Sequence, residues 1–324
     1  MVLATEGLQV VGATDLAPDR DGRDLGDVLG LPKKTKVKVD GDSDRFFRKT
    51  RADVAILCTS SSLKVVKPQI MALVASGMNV ISTCEELAFP TPATATAFRE
   101  IDAAAARKKV SVLGTGVNPG YAMDVLALAL TAACSEVRRV SVSRLVDAGS
   151  RRLPLQRKVG AGLNINQFRR AMTEGTVRHV GLTESVHMIA TALGWKVDRV
   201  DETLEAAIAP RDLDTEYLRI AAGAVAGIKQ HARGFRGDEA LISLDLQMYV
   251  GAESPRDHVY IDGTPPIDMT IKGGIAGDQG TAAIVVNSIP KLMAARPGVV
   301  TMKDLPLVHR FNAAEIKALP ARKK

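Results

Sequence analysis

Leu8-Gln-Val-Val-Gly-Ala-Thr-Asp15 is a short apolar run ending in an acid, the pattern of a strand buried on both faces of a parallel sheet. Downstream, similar runs alternate with helical periodicity. Residues 54–58, 79–82 and 110–113 read as buried strands, 65–76 and 94–108 as helices, and 35–39 as a weak edge strand. Such alternation predicts right-handed crossovers and a doubly wound parallel sheet. After Asn118-Pro-Gly120 the pattern changes. A helix over 121–133 leads into longer alternating strands, in which Ile242, Leu244, Leu246, Met248 and Val250 interleave with Ser243, Asp245, Gln247 and Tyr249, a half-buried strand of antiparallel type. Residues 140–144 alternate likewise, 258–261 and 267–271 are expected to pair across Gly263-Thr-Pro-Pro266, and 279–287 reads as a helix.

The expected fold class is therefore α/β: a Rossmann-type doubly wound parallel sheet with its first strand missing, plus an α+β domain, to which the resemblance set out below gives catalysis and dimerisation. The boundaries fall at 1–117, 118–277 and 278–324, the last segment returning to the first domain. A dinucleotide fold opens with a strand and a G-x-G-x-x-G turn, and an acid follows about 20 residues on, at the tip of the second strand. Asp15 suits that acid, or it is a turn residue in Asp-Leu-Ala-Pro18. The strand and glycine turn before it are not seen, since Met1 to Gly7 have the composition of a helix's last turns. The expectation is a gene that starts upstream and a chain that, as written, binds NAD(H) poorly. Arg20 and Arg23 lie near enough in sequence to receive a 2′-phosphate, so NAD and NADP both stay open.

Composition narrows the function. The 324 residues suggest two domains. With 43 Lys and Arg against 36 Asp and Glu, the net charge of +7 is dispersed, and its densest clusters, 33–38 and 322–324, are short. One Trp, four Tyr and seven Phe are too few for base-stacking platforms, which argues against nucleic acid as partner. The longest apolar run, 125–134, falls short of the ~20 residues that span a bilayer. Three scattered cysteines, Cys58, Cys84 and Cys134, suggest a reducing cytoplasm and no metal site, and the five histidines add no metal-ligand spacing.

Several constellations can carry chemistry. Cys58-Thr-Ser-Ser-Ser62 and Ser82-Thr-Cys-Glu-Glu86 end adjacent strands. Their hydroxyls and backbone suit a ribose or nicotinamide, or simply cap helices. Glu85 and Glu86 place a carboxylate where substrate would meet cofactor, and partial burial would raise its pKa toward a useful acid/base range; alternatively they are acids of a first helical turn. Gly114-Thr-Gly-Val-Asn-Pro-Gly120 has the wrong spacing for a pyrophosphate cradle and suits close backbone approach to a ligand. The cation-rich loop from Asp147 to Gly162, with Arg151, Arg152, Arg157 and Lys158, either clamps a carboxylate or is a solvated surface. Glu184 and His187 fit a pair on one helix face, and Lys229, Gln230 and His231 read as polar residues after a small-residue helix.

Ser82-Thr-Cys-Glu-Glu-Leu-Ala-Phe-Pro90, Gly114–Gly120, Arg151-Arg-Leu-Pro-Leu-Gln-Arg-Lys-Val-Gly-Ala-Gly162, His179-Val-Gly-Leu-Thr-Glu-Ser185 and Ile271-Lys-Gly-Gly-Ile-Ala-Gly-Asp-Gln-Gly-Thr281 together resemble the 2,4-diaminopentanoate dehydrogenase family. Native amine dehydrogenases and, more distantly, dihydrodipicolinate reductase-like proteins are its relatives. The paired-histidine helix and lysine-bearing segment of the reductases are not found here, which disfavours that activity. The resemblance implies an oxidoreductase using NAD or NADP for reversible oxidative deamination of 2,4-diaminopentanoate to 2-amino-4-oxopentanoate and ammonia, with Glu86 or Glu85 doing the proton work. It implies cofactor contacts from Asp15, Cys58, Thr59, Ser60, Ser82, Thr83, Asn118 and Pro119, and substrate contacts from Arg144, Gln247 and Thr281 in an inter-domain cleft. A cytoplasmic homodimer through the second domain's sheet is the implied assembly. Competing readings are a native amine dehydrogenase for simpler ketones or keto acids, and a nucleotide-sensing or scaffold protein without turnover.

Overall fold

The computed structural model describes residues 1–319, so the basic cluster at 322–324 lies outside the described residues. The strands are β1 (Ala13–Thr14), β2 (Val39–Asp40), β3 (Val54–Leu57), β4 (Asn79–Ser82), β5 (Ser111–Gly114), β6 (Glu136–Asp147), β7 (Arg199–Ile208), β8 (Leu213–Asp214), β9 (Arg219–Ile220), β10 (Val225–Arg236), β11 (Glu239–Tyr249), β12 (Arg256–Thr264), β13 (Ile267–Lys272) and β14 (Gly298–Val300). The helices are α1 (Leu25–Val28), α2 (Ser43–Lys49), α3 (Leu63–Ala75), α4 (Ala95–Lys108), α5 (Val125–Thr131), α6 (Leu153–Lys158), α7 (Ile165–Thr173), α8 (Leu182–Ala192), α9 (Gly277–Met293) and α10 (Ala313–Lys317).

The chain divides into two compact units, the first comprising Met1–Leu87, Pro92–Thr115 and the residues from Thr281, the second Ala88–Thr91 and Gly116–Gly280. In the first unit β14, β5, β4 and β3 form a parallel sheet in that order. All four residues of β4 and of β5 are buried, as continuous apolar strands between helices should be. Helix α3 turns Leu63, Val66, Ile70, Leu73 and Val74 onto this core and α4 adds Phe98, Ile101, Ala104 and Ala105, the three-and-four spacing of an apolar stripe. At the sheet's edge β3 is different, with Ile56 40% exposed. Of the run 8–15 only Ala13–Thr14 enters a ladder, pairing in parallel with β2, and Val11 is exposed. The weak strand expected at 35–39 is β2, shifted to its last residue and Asp40. At the start, Val2–Ala4 form one 3-10 turn and Gly7 takes a left-handed conformation.

The second unit is built on a six-stranded mixed sheet in the order β13-β12-β6-β11-β10-β7. Its core face carries Val140, Val142, Ala232, Ile242, Leu244, Leu246, Val259 and Ile261, packed on Met123, Ala127, Leu182, Val186 and Ile189 from α5, α8 and the segment before α5. The strand expected around Leu244 runs antiparallel to β10 but parallel to β6, so the ladder is mixed rather than purely antiparallel. Residues 258–261 and 267–271 pair antiparallel as expected, joined through the turn that holds the Thr264–Pro265 cis peptide. One expectation fails outright. Lys229, Gln230 and His231 lie within β10, not after a helix, because the alanines and glycines before them fit a strand whose inward side chains are Ala226, Ile228, Gln230 and Ala232.

Candidate functional site

In the first unit, chemistry collects at the carboxyl ends of β3, β4 and β5, where open parallel sheets bind ligands. Ser82 is 1% exposed; its hydroxyl donates to the Leu57 carbonyl at 3.0 Å and accepts the Cys84 amide at 3.1 Å, locking one strand end to the next. The Thr83 amide also reaches the Leu57 carbonyl, and Cys84 Sγ donates to the Ser61 carbonyl. Burial pushes the Cys84 thiol up to about 12, so it stays protonated. Ser60 Oγ accepts the Ser62 amide, Thr59 Oγ1 donates to Gln69, and Cys58 is exposed.

Glu85 and Glu86 open a 3-10 turn directly after this strand end. Glu86 Oε2 accepts the amide of Leu63, the first residue of α3, at 2.7 Å. The helix terminus thereby gains a carboxylate for one of its orphan donors, and the carboxylate gains a fixed orientation. The acids thus lie in a short 3-10 turn, and Glu86 caps α3 rather than a helix of its own. At the end of β5, Thr115 Oγ1 is buried without a hydrogen-bond partner. Asp15 follows β1; its Oδ1 accepts the Ala17 amide and its Oδ2 the Arg20 guanidinium, which hold the carboxyl below the usual range.

The second unit assembles a different site on the core face of its sheet. Arg144, 3% exposed, shares that face with Val140 and Val142, donates to Asp257 at 2.8 Å and also binds the Ile275 carbonyl. Asp257 Oδ2 additionally accepts the Ile275 amide, while its Oδ1 is buried without a partner. Burial pushes the Asp257 carboxyl upward; the Arg144 guanidinium pulls it back. On the same row of the sheet Gln230, 1% exposed, clamps the backbone of His179, accepting its amide at 2.9 Å and donating to its carbonyl at 2.7 Å. Burial and the charges of Lys158, Arg144 and Arg151 push the His179 imidazole down to about 3, so it is neutral at ordinary pH.

The loop between β6 and α6 is held from several sides. Asp147 Oδ1 accepts the amides of Gly149 and Gly251; buried Gln156 donates to the carbonyls of Gly149 and Arg151 and accepts from Thr215. Arg151 therefore projects from a fixed backbone. Its guanidinium donates to Asp278 at 2.8 Å and packs on Gly277, where an added Cβ would stand 2.8 Å from Nη1. Nearby, the fully buried Asp124 accepts from the Gly120 amide, the Val125 amide and Ser185 Oγ, bracing the segment with the Asn118–Pro119 cis peptide. Gly181, at φ +120°, abuts Pro119 so closely that a Cβ would lie 2.3 Å from its Cδ. Asn118 Nδ2 meets Met123 Sδ and its Oδ1 is buried without a partner.

Two of the three anticipated substrate contacts, Arg144 and Gln247, stand on opposite faces of the second unit's sheet. Arg144 faces the core in register with Leu246, whereas Gln247, in register with Leu145, points to the opposite face. The pleat separates them, and the Arg144 guanidinium is engaged by Asp257 and Ile275. Thr281 lies in α9 and in the first unit. Glu184 and His187 share α8, with Glu184 buried and burial lowering the imidazole. Sequence reasoning named Gln230 only as one of three polar residues able to face substrate or solvent, and missed Asp257 and Gln156. For Gln230 and Asp257 a signal existed: each is a polar residue at the inward parity of an alternating strand. Among the described residues no group of His, Cys, Asp and Glu could hold a metal, and no helix is long and apolar enough to cross a membrane.

Comparisons with known proteins agree over most of the chain. Residues 121–319 match the family model of the 2,4-diaminopentanoate dehydrogenase C-terminal domain. The chain is 34% identical to the 2,4-diaminopentanoate dehydrogenase of Acetoanaerobium sticklandii, covering 95% of this chain and 89% of that one. It is 23% identical to the amine dehydrogenase of Streptomyces virginiae over 94% of this chain and 91% of the relative. The solved amine dehydrogenase of Mycobacterium smegmatis shares the fold, with a TM-score of 0.84 at 23% identity over 95% of this chain and 91% of that one.

Proposed function

The chain belongs to the 2,4-diaminopentanoate dehydrogenase family, and on that premise we propose that it converts 2,4-diaminopentanoate, water and NAD(P)+ to 2-amino-4-oxopentanoate, ammonia, NAD(P)H and a proton, reversibly. The 34% identity, over a match that covers 95% of the chain and so runs through both units, carries this reading.

The first unit's residues suit a nicotinamide dinucleotide. Asp15 is a carboxylate at a strand end fit for a ribose hydroxyl, with Arg20 beside it fit for a phosphate. Thr115 Oγ1 is a buried hydroxyl with hydrogen-bonding capacity unfilled. Cys58, Thr59, Ser60, Ser82 and Thr83 contribute backbone and hydroxyls at the neighbouring strand ends, and the proposal adds Asn118 and Pro119. When bound, the nicotinamide accepts or returns the hydride. The proton work falls to Glu86 or Glu85. As the amine carbon loses hydride, a carboxylate stabilises the iminium charge. It then takes the proton of the attacking water and returns it as ammonia leaves. The Leu63 amide keeps Glu86 in one orientation for these steps.

A homodimer is proposed through the sheet face opposite α5 and α8, which carries Ser141, Ser143, Lys229, His231, Ser243, Asp245 and Tyr260 in register. His231 pairs with Asp245 there, and His258 with Asp268. Light scattering reads this assembly, and a monomer at micromolar concentration overturns it. Three unpaired thiols support a cytoplasmic location. Turnover tests the activity: NAD(P)+ reduction with 2,4-diaminopentanoate is expected, reduction with simple amines alone transfers the chain to the amine dehydrogenase reading, and no reduction with either supports a non-catalytic nucleotide-sensing protein.

A further inference from the structure

Within the second unit, side chains that would ordinarily neutralise one another are left with hydrogen-bonding capacity on one side. Among the described residues the Arg151 guanidinium donates only to Asp278, and its Nε is enclosed without an acceptor. His179 Nδ1 is likewise enclosed without a partner, and its ring makes no hydrogen bond among the described residues. Both groups are held firmly in place: Gln156 fixes the Arg151 carbonyl, Gly277 lets the guanidinium lie against the start of α9, and Gln230 grips both backbone polar groups of His179. Each also retains an exposed edge, the Arg151 side chain at 17% and His179 half-buried. Arg144 ties the two together: it lies on the sheet row of Gln230, which grips His179, and it binds the carbonyl of Ile275, two residues before the Gly277 against which Arg151 lies. Arg144 is engaged by Asp257, so it sets the local field and braces the sheet rather than reaching a ligand.

Fixed, unsatisfied donors in a positive field suit a ligand that is anionic and accepts without donating. We propose that Arg151 and His179 form the recognition site for the substrate's α-carboxylate, with Arg144, Gln156 and Gln230 as positioning residues. A neutral imidazole serves here because it donates from one nitrogen without adding a fourth cation. The ligand's identity rests on the amine dehydrogenase reading; the anion selectivity rests on the side chains alone. The cluster would thereby select a diamino acid over the corresponding diamine.

The test compares 2,4-diaminopentanoate with butane-1,3-diamine, the same skeleton without its carboxylate, by isothermal titration and by steady-state kinetics. Wild type is expected to favour the acid. Arg151→Met is expected to reduce that preference about 30-fold or more, mainly in Kd and KM rather than kcat. Arg151→Lys, which keeps the charge and loses the planar fork, should fall between them and covers the case in which the Met variant fails to fold. Equal preference in wild type and Arg151→Met overturns the carboxylate site while leaving the deamination reading intact. Weakened NADH binding in the variant with the acid preference unchanged overturns it in favour of a cofactor phosphate. Failure of wild type to bind or oxidise either compound removes the functional reading itself, and with it the ligand assigned here.

Discussion

The strand ends of the first unit and the basic cluster of the second handle polar groups in opposite ways. Around β3 and β4 nearly every donor has an acceptor inside the fold: Ser82 bonds in both directions, Thr83 and Cys84 reach neighbouring carbonyls, and Glu86 holds the first amide of α3. Around Arg151 and His179 the backbone is pinned while Arg151 Nε and His179 Nδ1 have no partner. The first arrangement fixes the Glu86 carboxylate to which the proposed mechanism gives the proton work; the second leaves Arg151 Nε and His179 Nδ1 unpartnered where a substrate carboxylate is proposed to bind. Each unsatisfied buried group costs about 1–3 kcal/mol, so a protein retains such groups where a ligand offsets the cost.

The largest expected effect is on catalysis. Glu86→Gln keeps an acceptor for the Leu63 amide and removes the proton carrier, so kcat should drop about 10²- to 10⁴-fold with little change in melting temperature. Full activity in that variant, with loss in Glu85→Gln, would assign the role to Glu85. Next comes Arg144→Met, which strands the buried Asp257 carboxylate; urea unfolding should record a loss of about 3–5 kcal/mol, against almost none if the pair were merely a surface contact.

His179 gives a pH test of the unsatisfied region. Its folded pKa of about 3 lies below the usual 6.5, so the unfolded chain takes up the proton first as pH falls. The stability this neutral ring contributes is complete above pH 6.5 and lost progressively toward pH 3. Between pH 7 and 5 the loss is up to about 2 kcal/mol, less as water reaches the ring edge. Comparing unfolding curves of wild type and His179→Gln at both pH values isolates it: the variant should lose less stability on acidification, and parallel losses contradict a depressed imidazole. Smallest is Ser82→Ala, expected to cost about 1–2 kcal/mol by leaving the Cys84 amide without its acceptor, readable by thermal melting.

Much of the first unit was legible because its helices and strands carry their signal locally. The stripe of Val66, Ile70 and Leu73 and the central apolar pairs Val80-Ile81 of β4 and Val112-Leu113 of β5 each declare a buried face without reference to distant residues. The long strands β7 and β10 were not legible. Arg199–Ile208 is largely polar on its outer face, and the small residues before Gln230 suit a helix as well as a strand until the ladder with β11 decides. The acid pair and the arginine loop stood out as chemistry-bearing runs, but their roles depend on partners far off in sequence. The Arg144 guanidinium is engaged by Asp257, 113 residues away, and Arg151 by Asp278, 127 residues away. Gln247 stands on the face opposite Arg144, since one step along β11 turns a side chain to the other face.

The most direct test of the central claim is the stoichiometry of a single reaction. With 2,4-diaminopentanoate and saturating NAD+ or NADP+, the account predicts reduced nicotinamide and ammonia in equal amounts. Formation of reduced nicotinamide without ammonia, or no reduction with this substrate under either cofactor, would contradict it.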